Sequence, residues 1–372
     1  MDVRIIDETN VQHLKSSQDD AILKNMCKIL VTGAAGFIGA RVACLLAERG
    51  DEVVGVDNIN GFYYVKLKYA RLKECGVECE NEDILRGKWY QSTKFPNYRF
   101  VRLSIESKEA INLLFGSEHF DKVIHLAAQA GVQFSKKHPY EYMKSNLDGF
   151  EDILEACRWH KVNKLVFASS SSVYGMNQNE KFSEEDPTNT PVSLYAASKI
   201  ANEAMAHCYA HQYGINCIGL RFFTVYGPWG RPDMSPMLFA DKIRKNKTIK
   251  LYGKGEMIRD FTYIDDIVHG VICATDYELN VKHCPNKVPF RIYNIGNGHP
   301  IKMKTFLEAL EKTYGEKSKF KLIKVVRSGD VIRTSADTSR IESELHFKPK
   351  WNLEDGLEEF IKWYKSDKNP LK

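Results

Sequence analysis

No stretch of the chain is apolar for long enough to span a membrane as a helix, and its longest hydrophobic runs have only the length of a strand. Nor is there a stripe of Lys and Arg. A net charge of +5 over 372 residues gives a nucleic acid little to hold and suits small anionic ligands better. The nine cysteines show no repeating spacing. Cys75 and Cys79 have no second Cys or His pair nearby to complete a zinc site, so no metal is expected and the thiols are read as reduced. The N-terminus lacks the hydrophobic segment of a signal peptide, which makes the cytoplasm the expected location. With 43% hydrophobic residues, the chain can bury one large core or two closely joined ones.

What is present is organised around residues 28–39, KILVTGAAGFIG, which read as a buried strand, a glycine turn and the start of a helix. Gly33, Gly36 and Gly39 leave no Cβ in the way of a pyrophosphate approaching the helix N-terminus. Phe37, Ile38, Val42, Leu45 and Leu46 recur at helical spacing until Gly50. A second strand from Glu52 ends on Asp57, where the dinucleotide fingerprint places an acid for a ribose hydroxyl. A bare carboxylate there repels a 2′-phosphate, so NAD is expected over NADP.

Residues 1–25 are polar and read as an N-terminal extension. Beyond Asp57 the pattern predicts a helix over 65–75, strands at 98–103 and 122–127, and a long helix over 140–160. A strand at 164–169, a helix over 195–213 and a strand at 216–221 follow. This alternation predicts an α/β fold with a doubly wound parallel sheet of the Rossmann type, over 26–222. Past Phe222 the rhythm loosens into loops rich in Pro, Gly and aromatics, with a short strand near Lys250, a strand and helix over 261–275 and a strand at 291–295. Residues 223–372 therefore read as a smaller interwoven substrate domain, with 260–298 partly returning to the first.

Tyr195 and Lys199 stand at i and i+4 on one helical face. An ammonium near a phenol favours the phenolate, which makes Tyr195 a candidate base. At the end of the preceding strand, Ser169 to Ser172 bring four consecutive hydroxyls. A dinucleotide turn followed by this cluster and Y-x-x-x-K resembles the short-chain dehydrogenases in their extended form, with Ser170, Tyr195 and Lys199 as the catalytic triad. The runs 127–135, 145–150, 169–175, 221–234 (RFFTVYGPWGRPDM) and 259–266 (RDFTYIDD) are similar to nucleotide-sugar epimerases, most of all to UDP-glucuronate 4-epimerases.

The resemblance implies NAD contacts from Gly33, Gly36, Phe37, Ile38, Gly39, Asp57, Asn58, Ser104, Ile105, Leu126, Ala127, Ala128, Gln129, Tyr195 and Lys199. It also implies a UDP-sugar site. Arg327 and Arg259 fall on phosphate-binding positions, Asp330 on the acid that holds the uridine ribose, and Tyr252 on an aromatic that stacks on uracil. Ser171, Ser172, Thr224 and Arg231 fall near the sugar carboxylate, and a homodimer is implied through the helices at 140–160 and 195–213. The chain departs from the pattern at Ser104, Gly61 and Val65, where relatives often carry acids.

Related dehydratases carry an Asp-Glu pair where Ser171 and Ser172 stand, and related decarboxylases carry Glu at the position of Ser172. Elimination and decarboxylation therefore lack their catalysts. Epimerisation at carbon 4 through a ketone, of UDP-glucuronate to UDP-galacturonate, is the expected reaction, with epimerisation of UDP-glucose or UDP-N-acetylglucosamine as the alternative and a net UDP-sugar dehydrogenase or a non-catalytic NAD-binding protein as the competing readings.

Overall fold

On the first strand, β1 (Lys28–Thr32), Ile29 and Val31 join the apolar cluster on one face of a sheet and Leu30 joins the cluster on the other, all fully buried. A strand buried on both faces belongs in a parallel sheet covered by helices on each side. The computed structural model describes residues 27–78 and 86–372, so the N-terminal extension read in 1–25 lies outside the described residues.

Seven further strands join β1: β2 (Glu52–Asp57), β3 (Trp89–Gln91), β4 (Tyr98–Arg102), β5 (Lys122–His125), β6 (Lys164–Ser170), β7 (Asn216–Phe222) and β8 (Phe290–Ile295). Their order is β8-β7-β6-β5-β1-β2-β4-β3, parallel throughout except where β3 pairs antiparallel with β4. The direction of travel reverses between β1 and β5, so the carboxyl ends of these two strands open the crevice where ligands bind in such sheets.

The helices are α1 (Phe37–Arg49), α2 (Val65–Glu74), α3 (Lys108–Glu118), the short α4 (Val132–Ser135) and α5 (Pro139–Met143), α6 (Gly149–Trp159), α7 (Leu194–Tyr213), α8 (Ser235–Arg244), α9 (Ile264–Asp276), α10 (Met303–Tyr314), α11 (Ser339–Leu345) and α12 (Leu353–Lys365). The long helix expected over 140–160 is divided by a π-helical turn at Lys144–Asp148. The Asn146 side chain faces inward there, accepting from Gln129 N at 2.8 Å and donating to Gln129 O at 3.0 Å. Buried polar demand, which periodicity does not report, sets that irregularity.

Residues 223–372 build three two-stranded pairs and the last five helices, but β8 returns to pair with β7 over Phe290–Ile295. No helix among the described residues is long and apolar enough to cross a membrane. The reading of all cysteines as reduced is corrected: Cys44 on α1 and Cys75 at the end of α2 form a disulfide with Cα atoms 5.6 Å apart. The packing of these two helices, and not a sequence spacing, brings them together.

Candidate active site

Gly33 has φ +73°, and a Cβ there would lie 2.9 Å from Leu126 C and Ala127 N. A Cβ at Gly39 would lie 2.2 Å from Gly33 O. These glycines therefore let the turn close on its own backbone and on the loop after β5, which in turn opens the N-terminus of α1 to the crevice. Asp57 at the end of β2 is not bare, as the sequence reading assumed. It accepts from Ile59 N at 2.7 Å and Ala35 N at 3.3 Å, and Lys68 stands 3.4 Å from it. The acid thus braces the glycine turn as well as facing the crevice.

A single cavity of about 890 Å³ runs from Asp57 and Asn58, past the glycine turn, to Tyr252, Arg327 and Asp330. All but one of the expected site residues line it, including Ile105, the run from Leu126 to Gln129, the serine cluster and Thr224. Ser104 does not. Its hydroxyl is buried with no hydrogen-bond partner among the described residues, while its neighbours Leu103 and Ile105 form the wall. The glycine turn, the acid and the small residues after β5 fit a dinucleotide in this half of the cavity.

Ser193 caps α7 by accepting from Ala196 N at 3.1 Å, which starts the helix one residue before Tyr195. One turn on, Lys199 is buried and donates from Nζ to Ala168 O at 2.8 Å. Burial pulls its ammonium down to about 8, against the charge of Glu203 a further turn along. Burial pushes the Tyr195 phenol up, and the Ser170 hydrogen bond and the Arg231 charge draw it part of the way back. The expectation that Lys199 does this directly is corrected, because its ammonium is turned to the strand carbonyl.

Glu203 anchors the floor of the site. It accepts from Arg221 through Nε at 2.9 Å and Nη2 at 2.8 Å, and from Ser169 Oγ at 2.5 Å, all buried. The Arg221 guanidinium lies 4.8 Å from the centre of the Tyr174 ring, whose hydroxyl donates to Asn294 at 2.6 Å. This network locks the end of β6 against α7, so Ser170 and Tyr195 keep their relative positions. Ser170 Oγ also contacts Ser172 Oγ at 3.1 Å.

Three arginines line the rest of the cavity, Arg231 beside Tyr195 and Arg259 and Arg327 beyond it. Arg231 is held by Asp233 at 2.6 and 3.1 Å and by Ala130 O at 3.0 Å, beneath the Phe62 ring at 5.2 Å. Its Nη1 has no hydrogen-bond partner among the described residues. Arg259 is held by the carbonyls of Ile258 at 2.7 Å and Val331 at 2.7 Å, and Arg327 lies over Tyr252 at 5.0 Å and pairs with Asp330 at 2.8 Å. Asp330 also accepts from Gln133 at 3.0 Å, which ties this loop to α4 across the cavity. Two cations beside an aromatic ring and an acid suit a nucleoside diphosphate.

Sequence reasoning missed Lys68, Phe62, Gln133, Asp233 and Glu203. Gln133, inside the quoted run 127–135, Asp233, inside the motif quoted for Arg231, and Glu203, four residues after Lys199, carried a sequence signal; Lys68 and Phe62 reach the site through tertiary packing.

The family signature of the NAD dependent epimerase/dehydratase family matches residues 29–296. UDP-glucuronate 4-epimerase 4 of Arabidopsis thaliana is 42% identical over 355 residues, covering 92% of this chain and 76% of that relative. The structure is similar to UDP-glucuronic acid 4-epimerase of Bacillus cereus, solved with UDP-glucuronic acid and NAD, with a TM-score of 0.78 and 31% identity over 91% of this chain and 99% of that one. It is also similar to UDP-glucose 4-epimerase of Thermotoga maritima, solved with UDP-glucose, with a TM-score of 0.76 and 28% identity over 91% and 98%. With a glycine turn, a Ser/Tyr/Lys set and a diphosphate-sized arginine cluster in one cavity, and with this extent of similarity, the chain belongs to the NAD-dependent epimerase/dehydratase family.

Proposed function

We propose that the protein catalyses NAD-dependent 4-epimerisation of a UDP-sugar, converting UDP-glucuronate to UDP-galacturonate through a 4-keto intermediate. NAD, bound along the glycine turn and Asp57, supplies the hydride acceptor and donor. Tyr195 takes the proton of the 4-hydroxyl, and Ser170 donates to the oxygen as negative charge develops on it. The Arg231 charge favours the phenolate, and Lys199 holds the nicotinamide ribose. After the ketone turns over, the hydride that NAD would give back enters the opposite face of carbon 4 and Tyr195 returns the proton to the oxygen, so there is no net redox change. Arg259 and Arg327 hold the diphosphate, Asp330 the uridine ribose and Tyr252 the uracil.

The observation that carries the choice of sugar is Arg231 with Ser171, Ser172 and Thr224 lining the same cavity as Tyr195. A hexuronate oxidised at carbon 4 is a β-keto acid, and it loses carbon dioxide when its carboxylate turns perpendicular to the ketone. Hydroxyl donors with a guanidinium hold that carboxylate in a plane. Asp233 shares the Arg231 charge, and the unpartnered Nη1 leaves donors for a ligand. A panel of UDP-glucuronate, UDP-glucose and UDP-N-acetylglucosamine tests the choice. The expected kcat/KM for UDP-glucuronate exceeds the others by about tenfold or more, and no NADH is released. Equal activity on all three would overturn the choice of sugar, and accumulating NADH would favour a net dehydrogenase.

The same reading includes a homodimer. Trp159 on α6 is 66% exposed and Tyr213 on α7 is 41% exposed, whereas Tyr209 is turned in to donate to Glu155 at 2.7 Å. Two exposed aromatics on adjacent helices suit an interface, and a monomer by light scattering at micromolar concentration would exclude it. A cytoplasmic role in supplying sugars for polysaccharide synthesis, and a division into cofactor domain 26–222 and substrate domain 223–372, belong to the same proposal.

A further inference from the structure

Arg71 on α2 is 2% exposed, and among the described residues no carboxylate pairs with it. Its donors go to neutral groups: Nε and Nη2 to Trp229 O at 3.0 and 2.6 Å, and Nη1 to Ala35 O at 3.2 Å and the Tyr63 hydroxyl at 2.6 Å. The Phe37 and Tyr63 rings lie 5.9 and 5.4 Å away. Burying a guanidinium without an anion is costly, and an apolar side chain would fill the space with no such cost. A fork of donors is useful here because it reaches the Ala35 carbonyl on one segment and the Trp229 carbonyl, with Gly230 O at 3.5 Å beside it, on another.

Those two carbonyls belong to the two segments that frame the cavity. Ala35 sits between Gly33 and Gly36 in the nucleotide turn. Trp229 sits two residues before Arg231 and has φ +65°, a left-handed conformation that a bulky side chain rarely adopts. Besides the two bonds from Arg71, Trp229 is steadied by the Trp363 ring at 5.1 Å and by the adjacent bond from Gly230 N to Gly227 O at 3.2 Å. Without Arg71 the carbonyl of Trp229 loses both of its side-chain donors, and the loop is free to move Arg231.

We infer that Arg71 is a positioning residue that ties the nucleotide turn to the loop carrying Arg231, so that it governs discrimination at the sugar carboxylate without touching substrate or cofactor. The inference rests on the proposed role of Arg231. Arg71 lies outside the cavity wall, so its effect passes through the Trp229 backbone. Discrimination should change while uridine diphosphate binding, which depends on Arg259, Arg327 and Asp330, stays close to wild type.

The test uses full-length enzyme with NAD bound and the variants Arg71→Met, Arg71→Lys and Arg231→Ala. Arg71→Lys keeps the charge and so protects the fold, but its single nitrogen cannot span both carbonyls. The measurements are the kcat/KM ratio of UDP-glucuronate to UDP-glucose, the decarboxylated pentose formed in turnover, and the affinity for uridine diphosphate. Both Arg71 variants are expected to lower the ratio about tenfold and to release pentose. Uridine diphosphate affinity should change by less than about twofold, because only the Arg231 loop is moved. Arg71→Met combined with Arg231→Ala should be no worse than Arg231→Ala alone. A lower Tm with an unchanged ratio and no pentose, while Arg231→Ala alters both, overturns the role of Arg71 and leaves the clamp standing. If Arg231→Ala changes neither readout, the clamp reading fails and this inference fails with it.

Discussion

The glycine turn after β1 and the arginines of the C-terminal half face each other across one cavity, yet they are held in opposite ways. The turn is set by its own backbone: Gly36 N donates to Gly33 O at 2.8 Å, and the absent Cβ atoms let the chain close within a few residues. The arginines are set by distant carbonyls as well as by the neighbours Asp233, Ile258 and Asp330. Arg231 depends on Ala130, about a hundred residues earlier, and Arg259 depends on Val331. On the proposed reading, the carboxyl ends of the central strands serve as a platform for the chemistry, while loops carried on long-range contacts select the sugar.

The strongest break of this comparison removes chemistry from the platform and leaves the loops alone. Tyr195→Phe is expected to lower kcat by about 10³-fold with little change in UDP-sugar affinity, since only the titrating hydroxyl is lost. Single-turnover assays beside calorimetric binding check both halves of that statement.

A second variant attacks the support of the platform. Glu203→Gln leaves Arg221 buried with half its partner gone, and a loss of about 3–5 kcal/mol in urea unfolding is expected. On the proposed mechanism Lys199 acts in its charged form, so kcat should decline as pH rises through about 8. Removing the Glu203 charge, which supports the ammonium, moves that alkaline limb to lower pH. A limb that stays in place in a folded variant would detach Glu203 from Lys199.

On the loop side, Arg231→Ala should slow turnover, because it removes the charge that draws the Tyr195 phenol down, and should also reduce the preference for UDP-glucuronate by about tenfold and release pentose. Product analysis by chromatography reads this directly. An Arg231→Ala enzyme with unchanged preference would place sugar selection elsewhere in the cavity.

The smallest effect is a pH dependence built into the platform. Thr32 Oγ1 accepts from Leu126 N and Ala127 N, each at 3.2 Å, so its own proton is directed to His125 Nδ1 at 2.9 Å. Burial, with the Lys199 charge adding to it, pulls His125 down to about 3. Its folded pKa is depressed, so the associated stability is fully present above the unfolded value of about 6.5 and declines as pH falls from there toward 3. Unfolding free energy should drop by up to about 1.4 kcal/mol per pH unit in that window. His125→Asn should flatten the slope, as denaturant titrations at pH 7, 6 and 5 would reveal.

By itself the sequence determined the parallel sheet, because strand and helix periods alternate as far as Phe222 and the central strands are apolar on both faces. It also determined where Gly33, Asp57, Ser170, Tyr195 and Lys199 lie, since the ends of parallel strands converge whatever the loops do. Two helices it also encoded went unread: α10, with Phe306, Leu307, Leu310 and Tyr314 buried, and α12, with Leu357, Phe360, Ile361 and Tyr364 buried, both have plain helical spacing. Only the tertiary structure decided the antiparallel edge strand β3, the π-helical turn at Asn146, the Cys44–Cys75 bond and the orientation of Lys199 toward Ala168. Only the tertiary structure decided, too, that Arg71 joins Ala35 to Trp229. These features depend on partners far apart in the chain and on the need to satisfy buried polar groups, and neither leaves a period in the sequence to read.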